Sequence, residues 1–111
     1  MGYVVTKRVH TLEAYHEFNK ALRYLDAAKM EQGEHCLKKA IETAKIAGDN
    51  AVFIRAVICY GDLLSETGRL EPAAEWLKLA LEEAASMNLD TEVLNFELGR
   101  ARVILAQLEA K

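Results

Sequence analysis

The chain has 111 residues, room for one domain with a core of its own. Its net charge is −3 at a pI near 5.6, and its only basic clusters are the pairs Lys7-Arg8 and Lys38-Lys39. That balance excludes the counterion-displacing basic stripe of a nucleic-acid binder, so no nucleic acid is expected as a partner.

Two cysteines, Cys36 and Cys59, are too few for a disulfide framework, and free thiols in a reducing cytosol are the simpler reading. A cytoplasmic location is expected. No apolar run approaches the roughly 20 residues that span a bilayer, so no membrane span is expected. The opening Met1-Gly2-Tyr3-Val4-Val5-Thr6 lacks the basic region and long apolar stretch of a signal peptide. Gly2 with Thr6 fits the loose N-myristoylation pattern, which also matches many unmodified chains.

Alanine, leucine, glutamate and lysine dominate, and strand-like alternation is almost absent after residue 10, which predicts an all-α fold. Residues 1–10 read as a frayed or extended arm. The first helix runs from near Thr11 to Asp26. The second runs from near Met30 to Ala47 and stops at Gly48. Asp49 or Asn50 caps a third that reaches Glu66, with Gly68 in the following turn. Pro72 suits the first turn of the fourth helix, where its missing N–H costs nothing, and that helix ends around Met87-Asn88. Asp90 or Thr91 caps a fifth, with Glu92 at its positive end, running to about residue 110.

The informative feature is self-similarity. Leu37-Lys38-Lys39-Ala40-Ile41-Glu42-Thr43-Ala44 aligns with Leu77-Lys78-Leu79-Ala80-Leu81-Glu82-Glu83-Ala84, five of the eight pairs being identical. The match extends backwards. Met30 aligns with Leu70, Lys29 with Arg69, Asp26 with Glu66 and Phe18 with Ile58. Small residues recur as well: Ala21 with Gly61, Ala28 with Gly68, Gly33 with Ala73. A period of about 40 residues implies stacked helical hairpins, and small residues at fixed spacing let two helix backbones approach closely.

The run Gly61…Gly68-Arg69-Leu70-Glu71-Pro72-Ala73-Ala74-Glu75…Leu77…Ala80-Leu81 resembles the tetratricopeptide repeat, with Gly61, Gly68, Ala73 and Ala80 in the family's small-residue places. Ala21, Ala28, Gly33 and Ala40 match more loosely, and Leu98-Gly99 looks like the start of an incomplete third repeat. The resemblance covers roughly residues 11 to 110. The family's first-helix Trp and final Pro are absent, and the period exceeds the usual 34 or so. The resemblance implies an array of about five antiparallel helices wound as a superhelix. Repeat one spans 11–48, repeat two 50–88, and a capping or interface helix 91–110. Ala21, Gly33, Ala40, Gly61, Gly68, Ala73 and Ala80 are its packing residues.

The resemblance also implies a binding groove lined by the first helix of each repeat. Repeat one would offer Tyr15, Phe18, Asn19, Leu22 and Asp26, and repeat two Arg55, Ile58, Cys59, Asp62 and Glu66. The fifth helix would add Phe96, Glu97 and Arg100. Mixed apolar and charged groups suit a peptide or helix ligand, although Phe18, Leu22 and Ile58 also fit a core. The Lys/Asn/Arg clamp that some family members close on a C-terminal carboxylate is not expected, because Phe18, Leu22 and Cys59 stand in its place. Trp76 is either a contact residue or half-buried packing.

His10, His16 and His35 form no metal-ligand spacing, adjacent His35 and Cys36 diverge on a helix, and no phosphate loop follows a strand. Neither catalysis nor a metal nor a cofactor is expected.

The fifth helix is apolar over too wide an arc. Val93, Leu94, Leu98, Ala101, Ile104, Leu105 and Leu108 make one stripe, and Phe96 and Val103 extend it to about 220°, against roughly 100° or somewhat more for an ordinary amphipathic helix. A second buried face is expected, with Val103, Ile104, Leu105 and Leu108 as an oligomer interface. The sequence therefore predicts a protein-interaction scaffold for a protein or peptide partner. A self-assembling structural module is the alternative, and a small-ligand protein or enzyme comes last.

Overall fold

The computed structural model describes the backbone of residues 2–87 and 94–110, and the side chains of 10–87 and 94–110. The fold is all-α. Its helices are α1 (Gly2–Asp26), α2 (Met30–Ala47), α3 (Asn50–Glu66), α4 (Leu70–Ser86) and α5 (Asn95–Glu109). The first helix starts at Gly2 rather than near Thr11, so residues 2–10, expected as an arm, form its opening turns. The expected caps Asp90, Thr91 and Glu92, and the stripe residue Val93, lie outside the described residues.

Two compact units divide inside α3, at Met1–Ala56 and Val57–Lys111. In the first, α1 and α2 form an antiparallel hairpin. The buried positions of α2 recur every three or four residues, through Cys36, Leu37, Ala40, Ile41, Ala44 and Ala47, while Lys38, Lys39, Glu42 and Lys45 stay outside. Gly33 lets the helices close. A Cβ there would stand 2.5 Å from Leu25 Cδ2 and 3.5 Å from the Ala21 carbonyl oxygen. Farther along, Ala14, Ala44 and Val52 make a cluster with Phe18 and Phe53 packed on it, so the start of α3 closes this end of the unit. Asp49 caps α3, its Oδ1 accepting the Val52 N–H at 3.2 Å.

In the second unit, α3 and α4 form the next hairpin, and α5 packs along α4. Gly61 repeats the device of Gly33: a Cβ there would stand 2.7 Å from Leu77 Cδ2 and 3.5 Å from the Ala73 carbonyl oxygen. Leu77 is fully buried, a side chain worth roughly 1.5–3 kcal/mol by transfer from water. The face of α5 toward the unit carries Leu98, Ala101 and Ile104, all buried. At its rim, Lys78 and Glu109 approach to 4.0 Å and Arg100 and Asp62 to 3.5 Å.

The two hairpin turns are the same structure, one sequence period apart. The Ala27 N–H donates to Arg23 O, Ala28 N–H to Leu25 O and Lys29 N–H to Tyr24 O; Thr67, Gly68 and Arg69 donate in the same way to Leu63, Ser65 and Leu64. Lys29 has φ −92° and ψ 75°, and Arg69 φ −90° and ψ 73°. Just before each stands a left-handed residue, Ala28 at φ 60° and Gly68 at φ 81°. Gly68 is thus a turn residue and not a packing residue: nothing lies within 4 Å of the Cβ it lacks. Gly48, at φ 69°, ends α2 with a turn of the same kind, its N–H and that of Asp49 bonding back to Lys45 and Ala44.

Candidate functional site

The expected groove residues fall into both units. In the first, Tyr15 is exposed on α1, while Asn19, Leu22 and Arg55 are half-buried. Phe18 is packed on the Ala14–Ala44–Val52 cluster and serves the core. In the second, Ile58 is only 4% exposed, a core position rather than a contact surface. Asp62 is held by Arg100, and Glu66 is exposed. Phe96 is the most exposed large apolar side chain among the described residues, at 84%.

Residues expected at an oligomer interface also separate. Val103 is 52% exposed, Leu105 and Leu108 are half-buried, and Ile104 points into the unit and is buried. Phe96 and Val103, two helical turns apart, share one outward stripe of α5. Gly99 lies between them, and a Cβ there would meet nothing within 4 Å. A helix-interior glycine costs about 0.5–1 kcal/mol against alanine, and its own unit gives it no packing reason.

Trp76 is half-buried packing. Its ring meets that of Tyr60 edge-on, with centroids 5.5 Å apart and planes at 65°. Both cysteines are free. Burial first, then the charges of Asp62 and Glu66, pushes the Cys59 thiol up to about 11. Burial likewise raises Cys36. Neither thiol has the lowered pKa of a nucleophile.

A charged cluster on the α1–α2 hairpin is not among the sequence expectations. Glu17 Oε1 lies 3.2 Å from Lys20 Nζ and 3.6 Å from Lys39 Nζ. Burial opposes ionisation of Glu17. The hydrogen bond from Lys20 and the charges of Lys20 and Lys39 outweigh it and hold the carboxyl below its ordinary value. Lys20 is raised in turn, chiefly by its bond to Glu17. Lys20 and Glu17 are visible in the sequence as an i, i+3 pair; the convergence of Lys39 from α2 needs the hairpin. Beside this cluster a groove of about 380 Å³ opens between α1 and α2, lined by Lys20, Tyr24, Glu31, Gln32, His35 and Cys36.

Among the described residues no three His, Cys, Asp or Glu side chains come together as a metal-holding group. No helix among them is long and apolar enough to cross a membrane. Comparison of the chain matched no family model, no curated protein and no solved structure.

Proposed function

We propose that this chain is a non-catalytic, tetratricopeptide-like interaction module that holds a peptide or helix of a protein partner in the cytoplasm. The observation that carries the reading is the repeated hairpin: the same turn and the same small-residue crossing recur one period later. Repeats of this kind present helix faces rather than catalytic pockets. Exposed Leu12 and Tyr15 on α1 flank exposed Glu13, which approaches His10 at 3.7 Å, a mix that suits a ligand anchored by apolar groups and oriented by polar ones. The test is affinity capture from the source lysate with the wild type and a Leu12→Ala/Tyr15→Ala variant. One stoichiometric protein, lost with the variant, supports the reading. Capture that is unchanged in the variant, or no captured protein at all, ends it.

A second reading, self-association through α5, is favoured by the outward stripe of Phe96 and Val103 and by the open backbone at Gly99. Phe96→Glu with Val103→Glu is the informative variant, since Leu105 and Leu108 are half-buried and charging them would disturb the fold. Sedimentation equilibrium should show a wild-type oligomer dissociated by that variant. A wild type that stays monomeric at high micromolar concentration excludes it.

A further inference from the structure

The two hairpins share one turn and one helix crossing, so positions one period apart can be compared directly. At one place they differ in what fills space. In the second hairpin, positions 60 and 76 hold Tyr60 and Trp76, whose rings pack edge-on across α3 and α4. The matching positions in the first hairpin are Lys20 and Cys36, and both line the 380 Å³ groove. Where one hairpin stacks two aromatic rings of its own, the other leaves an opening.

We propose that the α1–α2 groove receives a single aromatic side chain of a partner peptide, in the place that Tyr60 and Trp76 fill for themselves in the second unit. Its volume lies at the lower end of ligand pockets, room for one large side chain and not for a folded segment. Beneath the groove lies Cys36, 3% exposed, its thiol kept neutral by burial and hydrogen-bonded to the Glu17 carboxylate, so no charge faces the ring from below. Tyr24, half-buried in the wall, supplies an aromatic neighbour.

Electrostatics favour a neutral ring over an ion. Lys20 is tethered by Glu17 at 3.2 Å, which places an ammonium group beside the groove, where a ring face attracts it. The rim carries both signs, with Glu31 on one side and the Glu34–Lys38 pair, 3.4 Å apart, in the adjoining depression. A net-charged ligand would meet repulsion from one of them, whereas the flanking peptide groups of a neutral anchor can use both. This site names a chemistry for the partner of the proposed interaction module and takes its biological meaning from that reading. The ring-binding step itself is tested without any partner.

The experiment is a titration of the isotope-labelled full chain with N-acetyl-tryptophanamide, with N-acetyl-leucinamide as the control, followed by amide chemical shifts. The expected result is saturable shifts centred on Gln32, His35 and Cys36, in the range of roughly 1–10 mM for an isolated side chain and clearly weaker for the leucine probe. Equal shifts for both probes, shifts centred on Phe96, or no saturable shifts overturn the proposal. Lys20→Tyr with Cys36→Trp installs the ring pair of the second hairpin and should abolish the titration while helical circular dichroism is retained. Should that pair fail to fold, Lys20→Ala, at an exposed side chain, reads the same point. Binding about threefold weaker is expected once the cation is removed, and unchanged binding counts against the site.

Discussion

The turn between α1 and α2 and the turn between α3 and α4 have one backbone and different residues. Gly68 takes its left-handed conformation freely; Ala28 takes nearly the same conformation with a Cβ. The second hairpin therefore has the turn chemistry its geometry asks for, and the first adopts the same geometry at an exposed alanine, with the backbone hydrogen bonds of Ala27, Ala28 and Lys29 back to α1. The helix crossings invert the relation. Gly33 opens the first hairpin on the α2 side and Gly61 opens the second on the α3 side, each opposite an alanine, Ala21 or Ala73. What repeats is a distance between backbones, and either helix of a pair can supply the missing side chain.

The crossing gives the largest expected difference. Gly61→Ala sets a Cβ 2.7 Å from the Cγ of Leu77, which is fully buried and has nowhere to move. A loss of about 1–3 kcal/mol is expected from chemical denaturation. Gly33→Ala is the milder case even though its contact is closer, because Leu25 is only half-buried and can turn aside; the better helix propensity of alanine offsets part of the strain at both sites. Equal losses at the two sites would contradict this account of the crossings.

The turns come next. Ala28→Gly should stabilise by about 0.5–1 kcal/mol, the relief of a left-handed Cβ less the greater freedom of glycine in the unfolded chain. Gly68→Ala should destabilise by a similar amount, and exchanging both residues should leave net stability near that of the wild type. If Ala28→Gly destabilises, the two turns are not the same structure in solution.

The smallest effect concerns charge. Glu17 stands where the second hairpin has the buried Val57. Its carboxyl is depressed in the folded chain. The stability it adds is therefore present above its unfolded value of about 4.5 and is lost as pH falls through the lower folded value. Glu17→Gln should flatten the acid limb of a stability–pH profile in that window and leave the profile near neutrality parallel to the wild type. An unchanged acid limb would mean that Lys20 and Lys39 do not hold the carboxylate in solution.

Most helix ends are legible in the sequence because they rest on single residues whose backbone preferences are strong. Gly48 and Gly68 announce left-handed ends, Asp49 a cap and Pro72 a first turn. Ala28 announces nothing by itself; only its alignment with Gly68 points to the turn. The start of α1 is hidden because Val4, Val5 and Thr6 are poor helix formers and no capping residue marks Gly2. The groove residues are harder still. Tyr15 and Phe18 differ little as sequence, yet one is exposed and the other sits on Ala14, Ala44 and Val52. Burial of that kind depends on which neighbouring helix arrives, and periodicity within one helix does not encode it.

The lone tryptophan of the chain belongs to the second unit, edge-on to Tyr60. Indole fluorescence will therefore report the loss of the α3–α4 hairpin, whereas far-ultraviolet ellipticity weighs every helix. Melting curves recorded both ways on one sample would coincide if the units unfold in a single step. They would part if one hairpin outlasts the other.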